Sequence, residues 1–407
     1  GEAATEQRGN QDEKYKGRIT GVWSKQNQII YTEREASQGG SFLHLKLPVI
    51  KSSGFQTRRL KGKENRNMKR EEILKRLKTF VPELKKKRVI VSSDVKNEAD
   101  DPFAVMHHLL TPSEEIVGII SCHYEGFGMM MQQILDSPIK DQLDQKSLQR
   151  IENIVGMRGK TENHSYEEGK KILKLAEIED VPLIHGSRCE LQNIENLPDS
   201  PGADFIIREA MREDERPLYI AMQGAVTDLA IAYLKEPAIG ERLTLIWIGG
   251  GAYPAGGDEF NLKQDILAAN TVFESAIPVW QIPINVYSKV EVSIPELVAN
   301  VSHCGAIGQY LCDQMQEYNR QSEWMGGSSP FPHGESWCLG DNPTVTALLQ
   351  GAGRVTWKEC RAPHINADYS YEHLETGKMI RVYDDIDSRL TLSDFFAKMQ
   401  LCYGGKK

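Results

Sequence analysis

The amino-acid sequence predicts an α/β protein whose central sheet is mostly parallel and is flanked by helices on both faces. Two observations lead to this class. From residue 87 onward, strand-like and helix-like segments alternate along the chain, which is the order of a parallel sheet with crossover helices. Residues 243–248 read Leu-Thr-Leu-Ile-Trp-Ile, a nearly continuous apolar run that is typical of a strand buried on both faces.

The predicted elements follow one another in a regular order. Apolar runs predict strands over residues 88–91, 116–120, 181–184, 218–222, 243–248, 279–286 and 379–383. The segments between and after them predict helices over residues 101–110, 166–175, 203–211, 227–234, 265–275 and 392–399. Residues 126–165 form a long polar stretch, in which we expect a loop and a helix.

The first 85 residues differ in composition from the rest of the chain. Residues 1–88 contain 22 Lys and Arg against 10 Asp and Glu, a net charge of +12, whereas the remainder carries −20. We expect residues 1–85 to be a basic, disordered extension and residues 86–407 to form one domain. One short helix is expected over residues 70–84, with Ile73, Leu77 and Phe80 on one face. Basic residues are not interleaved with aromatic ones, which argues against nucleic-acid binding.

Composition and cysteine spacing argue against a membrane or secreted protein. No stretch approaches the roughly 20 apolar residues of a membrane span, and the polar first ten residues predict no signal peptide. The seven cysteines are scattered, odd in number and free of close pairs, which favours reduced thiols. We therefore expect a cytoplasmic protein.

An acidic turn follows the first predicted strand. Residues 94–101 read Asp-Val-Lys-Asn-Glu-Ala-Asp-Asp and contain four carboxylates. If these groups are buried, they repel one another and lose hydration unless a cation compensates them. A turn between a strand and a helix is also where ligands bind in open α/β sheets.

His107 and His108 follow on the helix; because adjacent residues point about 100° apart, we interpret them as structural.

Three later segments place polar groups at the ends of predicted strands or at the start of a helix. Residues 222–228 end a strand and open a helix with Gly224 between them. Three glycines at 249–251 are followed by Glu259-Phe260-Asn261, whose side chains suit the hydroxyls of a sugar. Asp341 opens a further helix. Each segment alone is weak, because an Asp before a helix is most often only a cap.

In this order, the four segments resemble the inosine–uridine nucleoside hydrolase family over roughly residues 87–400. The matching positions are Asp94, Asp100, Asp101, residues 224–228, 249–251 and 259–261, Asp265 and Asp341. The resemblance implies a nucleoside hydrolase-like fold with a Rossmann-like core, and hydrolysis of the N-glycosidic bond of ribonucleosides in purine and pyrimidine salvage. It also implies a possible homo-oligomer.

The resemblance further implies a site built around one Ca²⁺ ion. Asp100 would be the general base on a water molecule, and the transition state would be oxocarbenium-like. Glu259 and Asn261 would hold the ribose hydroxyls, and Asn97 and His123 are further candidates for substrate binding. The implied metal ligands are Asp94, Asp101, the backbone carbonyl of Gln223 and Asp341.

Two positions depart from the family pattern. Lys96 stands where the family has a second ligating aspartate, so either Asn97 or Glu98 replaces that ligand or the Lys96 ammonium itself neutralises the aspartates. Gly340 stands where the family has a histidine that protonates the leaving base, and His333 or Glu335 could serve instead.

These departures leave two alternative functions open. The chain could be a hydrolase of another glycoside on the same fold, or a ribosyl- or nucleoside-binding protein that has lost catalysis. A Mg²⁺ phosphatase is disfavoured, because Lys96 replaces the second carboxylate that such a site needs.

Overall fold

The computed structural model describes residues 68–325, 331–349 and 356–405. Most of the predicted basic extension, residues 1–67, lies outside these ranges. Within them the chain forms twelve strands and fourteen α-helices. The strands are β1 Lys87–Ser93, β2 Glu114–Ser121, β3 Leu183–His185, β4 Leu218–Gln223, β5 Leu243–Ile248, β6 Val279–Ile282, β7 Glu291–Ser293, β8 Ser336–Cys338, β9 Trp357–Arg361, β10 His364–Ile365, β11 Tyr371–Glu372 and β12 Met379–Tyr383.

The helices connect and cover these strands. They are α1 Arg70–Leu74, α2 Asp101–Leu109, α3 Glu125–Leu135, α4 Gln145–Val155, α5 Thr161–Leu175, α6 Pro201–Ala210, α7 Thr227–Lys235, α8 Phe260–Gln264, α9 Ile266–Glu274, α10 Ile284–Tyr287, α11 Ile294–Val301, α12 Gly305–Gln321, α13 Pro343–Leu349 and α14 Ser388–Tyr403.

Eight strands form one twisted sheet in the order β3-β2-β1-β4-β5-β6-β12-β9. All neighbouring pairs are parallel except β12 with β9, which is antiparallel at the edge. The mostly parallel sheet that the sequence predicted is therefore confirmed. The chain runs outward from β1 in both directions, so the gap between the carboxyl ends of β1 and β4 is the switch point at which open α/β sheets bind ligands.

Side chains of β1 show how the sheet is covered on both faces. Val89 and Val91 lie in one buried apolar cluster with α2, α12 and α14, whereas Ile90 lies in a second cluster with α6, α7 and α9. Alternation with a period of two is the geometry of a strand that has a core on each side.

Several helices and strands differ from the predicted ones in their bounds or number. The predicted strand over residues 279–286 ends at Ile282, because Pro283 has no N–H to donate to a neighbouring strand, and α10 follows. Residues 126–165 hold α3, α4 and a short 3₁₀ turn at Pro138–Gln142 instead of one helix. The two-stranded pairs β7/β8 and β10/β11 were not predicted.

Residues 68–85 belong to the folded domain, although the sequence analysis assigned them to the extension. The Arg70 guanidinium is buried and donates to three backbone carbonyls of residues 108–111. Ile73 is fully buried. The predicted helix stops early, because Lys78 adopts a left-handed φ of 52°, and Phe80 is 87% exposed instead of facing the core.

Two further findings concern the classes that composition disfavours. Among the described helices, none is long and apolar enough to cross a membrane. All seven cysteines fall within the described ranges and are free thiols. Burial raises the pKa of Cys304 and Cys402 to about 11, which makes these thiols poor nucleophiles.

Candidate active site

Four aspartates from distant parts of the sequence converge at the switch point. Asp94 follows β1 directly, Asp100 and Asp101 begin α2, and Asp341 precedes α13. All four are buried. Carboxylate oxygens of Asp100, Asp101 and Asp341 lie within 4.8 Å of one another, close enough to share one ion. The acidic turn and the distant aspartate thus form one cluster.

Local hydrogen bonds orient the acidic turn. The backbone N–H of Asn97 donates to the carbonyl of Asp94 (2.6 Å), which closes a tight turn after the strand. The Ser93 hydroxyl donates to Asp101 Oδ1 (2.7 Å). A methyl group on Gly224 would lie 3.1 Å from Asp94 Oδ1, so this glycine lets the end of β4 approach the carboxylate closely.

The two histidines on α2 hold the segment around Asp341. His107 Nδ1 lies 3.0 Å from Asn342 Nδ2, and His108 Nε2 lies 2.9 Å from Thr344 Oγ1. The Thr344 hydroxyl in turn donates to the backbone carbonyl of Asp341 (2.8 Å). Both rings are fully buried, which confirms their structural interpretation.

Burial and mutual repulsion disfavour the charged forms of the clustered carboxyls. Burial raises the pKa of Asp94, Asp100 and Asp341 well above the ordinary value of an aspartate. The charges of neighbouring carboxylates raise these pKa values further. Burial, with the charge of a neighbouring aspartate, raises the pKa of Glu98 to about 7. Asp94 Oδ2 and Gln223 Oε1 are buried without a hydrogen-bond partner among the described residues. Buried, unpartnered and mutually repelling oxygens fit a hard divalent cation.

The three residues inside the acidic turn point in different directions. The Lys96 side chain is 47% exposed and its Nζ lies 3.2 Å from Glu168 Oε2, so the alternative in which Lys96 neutralises the aspartates is wrong. Glu98 turns inward instead, where the Trp337 indole donates to its Oε1 (3.1 Å). Asn97 also lines the cavity of the acidic cluster.

Glu259 and Asn261 line the same cavity as the aspartates. Glu259 caps α8: its Oε2 accepts from the backbone N–H groups of Gly250 and Leu262, both at 2.8 Å. Its Oε1 accepts from the Tyr287 hydroxyl (2.9 Å). The Asn261 amide donates to the carbonyl of Ile248 at the end of β5 (2.9 Å), which leaves its Oδ1 for a ligand.

Gly250 shows why the glycine run is needed, and it gives a testable prediction. It adopts a φ of +84°, and a Cβ there would lie 2.3 Å from Gln281 Nε2. We expect Gly250→Ala to lower the free energy of unfolding by about 1–3 kcal/mol, because the backbone is strained and the side chain collides. Urea denaturation measures this, and Gly334→Ala, where nothing lies within 4 Å of the added Cβ, is the control. Equal midpoints for the two variants would contradict the prediction.

Two neighbouring cavities share lining residues in this part of the molecule. The smaller, the acidic cavity, has a volume of about 110 Å³. The larger, the outer cavity, has a volume of about 1020 Å³ and is walled mainly by α3, α4, α5 and α12. Asn97 and Glu98 line both, so they mark the junction. The acidic cavity is lined by Asp94, Asn97, Glu98, Asp100, Asp101, Gln223, Ile248, Glu259, Phe260, Asn261, Tyr287, Cys338, Gly340 and Asp341.

Two predicted site residues lie apart from the linings of these two cavities. His123 is fully buried with its Nε2 2.9 Å from Thr227 Oγ1, and burial lowers its pKa to about 4, which keeps the ring neutral. His333 is half-buried and its ring lies 4.3 Å from that of Trp337, which in turn contacts Glu98. His333 therefore reaches the acidic cluster only through the indole, and its role as an acid stays a prediction.

Several residues near the site were missed by sequence reasoning. Tyr287 and Trp337 contact the carboxylates of Glu259 and Glu98 from α10 and β8. Neither has a motif or a strand-end position that could have identified it. The carboxylate Glu168 is missed for a related reason, since one acidic residue on a polar helix such as α5 carries no signal of its own.

A family model described as inosine-uridine preferring nucleoside hydrolase matches residues 89–394. Among curated proteins, the pyrimidine-specific ribonucleoside hydrolase RihA of Salmonella paratyphi A is 30% identical to the chain over 155 residues. That match covers 35% of this chain and 49% of the relative, so the chain spans about half the length of the curated relatives it matches.

Solved structures share the fold at low sequence identity. The purine-preferring ribonucleoside hydrolase from Gardnerella vaginalis has a TM-score of 0.57 at 18% identity, over 78% of this chain and 99% of that one. The plant nucleoside hydrolase PpNRh1 has a TM-score of 0.54 at 16% identity, over 77% and 98% of the two chains. The family model covers well over half of the sequence, including both acidic segments of the site, and the chain therefore belongs to the inosine-uridine preferring nucleoside hydrolase family.

Proposed function

We propose that the protein hydrolyses the N-glycosidic bond of ribonucleosides or related ribosyl compounds, as a step in purine and pyrimidine salvage. One observation carries the proposal: four buried aspartates line a single small cavity together with Glu259 and Asn261 at the switch point of the sheet. Carboxylate and amide oxygens in one cavity suit the hydroxyls of a pentose, and the junction with the outer cavity leaves room for a base.

The acidic cavity fits a resident Ca²⁺ ion. Asp94, Asp101, Asp341 and the backbone carbonyl of Gln223 would hold it, because these are hard oxygen donors. Two side-chain oxygens of this set of residues, Asp94 Oδ2 and Gln223 Oε1, are buried without a partner among the described residues. When bound, the ion supplies positive charge that keeps the carboxyls ionised and lowers the pKa of a neighbouring water molecule.

Asp100 would act as the general base. It lies at the N-terminus of α2 beside Gly340, whose backbone N–H donates to it. The water oxygen bonds to C1′ of the ribose, its proton passes to the Asp100 carboxylate, and the electron pair of the C1′–N bond leaves with the base. The surrounding carboxylates stabilise the positive charge that develops on the sugar as this bond breaks.

Glu259 and Asn261 orient the sugar for this step. The Glu259 carboxylate is fixed by two backbone N–H groups and the Tyr287 hydroxyl, so it can accept from a ribose hydroxyl without rearranging. The Asn261 Oδ1 accepts from another. Rigid placement of this kind lowers the entropic cost of reaching the transition state.

The proposal is tested by incubating purified protein with nucleosides and measuring the ribose that is released. We expect reducing sugar from inosine and uridine, loss of release on treatment with a chelator, and recovery on addition of Ca²⁺. If nucleosides bind in calorimetry without release of sugar, the chain is a nucleoside-binding protein instead. If only other glycosides are cleaved, the fold is retained but the proposed substrate is wrong.

A further inference from the structure

We propose that His107 and His108 on α2 are positioning residues that set the affinity of the acidic cavity for Ca²⁺. The inference rests on the ion of the proposed function and assigns a role to two buried histidines that do not line that cavity. Each histidine contacts a carboxylate on one side and a residue close to Asp341 on the other. Through these contacts, α2 fixes where the Asp341 carboxylate lies relative to Asp101.

The helix α2 carries groups of the site at both of its ends. Its first residue, Asp101, is a proposed ligand of the ion, and its last turn carries His107 and His108. Because adjacent residues of a helix point about 100° apart, the two rings reach different residues of the segment 341–344. A rigid helix therefore connects one ligand with the segment that holds another.

Asp394 on α14 fixes which nitrogen of His107 carries the proton. Its Oδ2 lies 2.8 Å from His107 Nε2, and a carboxylate can only accept, so Nε2 donates. Burial lowers the pKa of His107 to about 4, so near neutral pH the ring has no second proton and Nδ1 is an acceptor. Nδ1 therefore accepts from the Asn342 amide (3.0 Å). The Lys398 ammonium donates to the same Asp394 oxygen and holds it in place.

Asn342 depends on this contact for its orientation. Its side chain is fully buried next to Asp341, and its Oδ1 has no hydrogen-bond partner within the described ranges. Without His107, the amide would be buried unpaired, which is costly. The segment would then shift until the amide found a new partner, and Asp341 would move with it.

His108 holds a second point of the same segment. Its Nδ1 lies 2.6 Å from Oε2 of the buried Glu114, and its Nε2 lies 2.9 Å from Thr344 Oγ1. The Thr344 hydroxyl donates to the backbone carbonyl of Asp341 and accepts from the Gln223 amide, both at 2.8 Å. This contact therefore also fixes the end of β4, whose carbonyl is a further proposed ligand.

Calorimetric titration of metal-free protein with Ca²⁺ tests this inference. For His107→Phe we expect the Kd to rise about 10- to 100-fold, because the loss of groups that orient ligands has effects of this size. Phenylalanine can keep the contact between this ring and Phe395 (5.5 Å between centroids), but it makes neither hydrogen bond. Asn342→Ala removes the other end of the same contact, and Thr344→Val removes the contact of His108. Both should raise the Kd, and they carry the test if His107→Phe does not fold.

A double variant shows whether His107 and Asn342 act as one unit. Each single substitution breaks the same hydrogen bond, so His107→Phe/Asn342→Ala should bind Ca²⁺ within about twofold of the weaker single variant. If the two effects multiply instead, the residues act independently and the proposed path from His107 through Asn342 is excluded.

Thr391→Val is the matched control for the loss of a buried hydrogen bond between α14 and α13. Thr391 is fully buried, and its hydroxyl lies 2.7 Å from Thr346 Oγ1. This variant should melt at a lower temperature than wild type, as His107→Phe should, but its Kd for Ca²⁺ should be unchanged.

Substitutions of Asp394 test the orientation of His107 by a conservative change. The amide oxygen of Asp394→Asn can still accept from His107 Nε2, so this variant should keep the Ca²⁺ affinity of wild type. Asp394→Leu offers no acceptor and should bind Ca²⁺ more weakly. Equal affinity of the asparagine and leucine variants would contradict the role of Asp394.

The outcomes separate this inference from the proposed function. If His107→Phe, Asn342→Ala and Thr344→Val bind Ca²⁺ as tightly as wild type, the histidines only support the fold and the inference is wrong. An equal rise in Kd for Thr391→Val would overturn it too, because affinity would then follow general stability. If wild type binds Ca²⁺ but releases no ribose, the proposed hydrolysis fails while this inference stands. If wild type binds no Ca²⁺, the proposed ion fails first and the inference fails with it.

Discussion

Asp100→Asn is expected to lower kcat for ribonucleosides by about 10²- to 10⁴-fold while KM changes little. Asparagine keeps the size of the side chain but cannot take a proton from water. The substitution also removes one of several repelling carboxylates: burial, and then the charges of Glu98 and Asp101, raise the pKa of Asp100. The melting temperature of metal-free protein should therefore stay equal or rise, so loss of activity would not reflect unfolding. Steady-state kinetics with uridine and inosine, together with thermal melts, measure both effects.

The control for this variant is Asp385→Asn, at an exposed aspartate that pairs with Lys289 on the surface (3.2 Å). It should keep the wild-type kcat. An Asp100→Asn protein that retains most of its activity would exclude Asp100 as the base. If the variant instead loses Ca²⁺ binding together with activity, Asp100 is a metal ligand, a role that its distance from Asp101 and Asp341 also permits.

The half of the site that follows strands could be predicted from the sequence. Asp94 follows β1 and Gln223 ends β4, while Glu259 and Asn261 come after β5. Carboxyl ends of parallel strands meet at one edge of a sheet, so polar residues at these positions must lie near one another once the strand order is known. Asp341 could be assigned to the site only through the resemblance to the family pattern. It lies before helix α13 and does not follow a strand of the main sheet.

Residues of the outer cavity that lie within helices could not be predicted from the sequence. Glu168 and Tyr310 lie on α5 and α12, whose polar faces read as ordinary solvated surface. Their contact depends on how two helices far apart in sequence pack across the outer cavity. Nor did the sequence show where His333 lies: its ring packs against Trp337, and its role as an acid stays a prediction.

The sequence did not show which side chains of the acidic turn point toward the aspartates. The positive charge of Lys96 would repel a bound cation, but the sequence did not show that this side chain points away from the site. The turn from Asp94 to Asn97 directs Lys96 outward to Glu168 and leaves Glu98 to face the aspartates. Neighbouring residues of such a turn direct their side chains to different sides. Which side chain is buried therefore depends on the backbone geometry of the turn more than on residue type.

Ca²⁺ is expected to stabilise the protein by an amount that grows with pH. With Ca²⁺ at a hundredfold excess over its Kd, the gain in the free energy of unfolding is about 2.7 kcal/mol, which corresponds to roughly 5 °C in melting temperature. The physical reason is the repulsion among buried carboxylates, which the ion relieves. Differential scanning fluorimetry of protein freed of metal on a chelating resin, with and without added Ca²⁺, measures the shift.

The sign of the pH dependence follows from the raised pKa values. In metal-free protein, Asp94, Asp100 and Asp341 bind protons more tightly when folded than when unfolded, and so does Glu98, whose pKa is about 7. Their contribution to stability is therefore complete below the unfolded pKa near 4 and is lost as pH rises through the folded values. The ion reverses this loss, so the Ca²⁺-induced shift should be small near about pH 5 and largest near about pH 8.

A substitution of one proposed ligand tests whether the Ca²⁺-induced shift in melting temperature comes from the acidic cavity. Asp101→Asn removes a carboxylate at the centre of the cluster, so it should melt at a higher temperature than wild type without metal and gain little from Ca²⁺. Asp385→Asn should retain the full shift. A shift of equal size at both pH values would mean that Ca²⁺ binds at surface carboxylates with ordinary pKa values. Persistence of the shift in Asp101→Asn would place the ion elsewhere, because a cluster held together by charge neutralisation cannot lose its central carboxylate and keep its affinity.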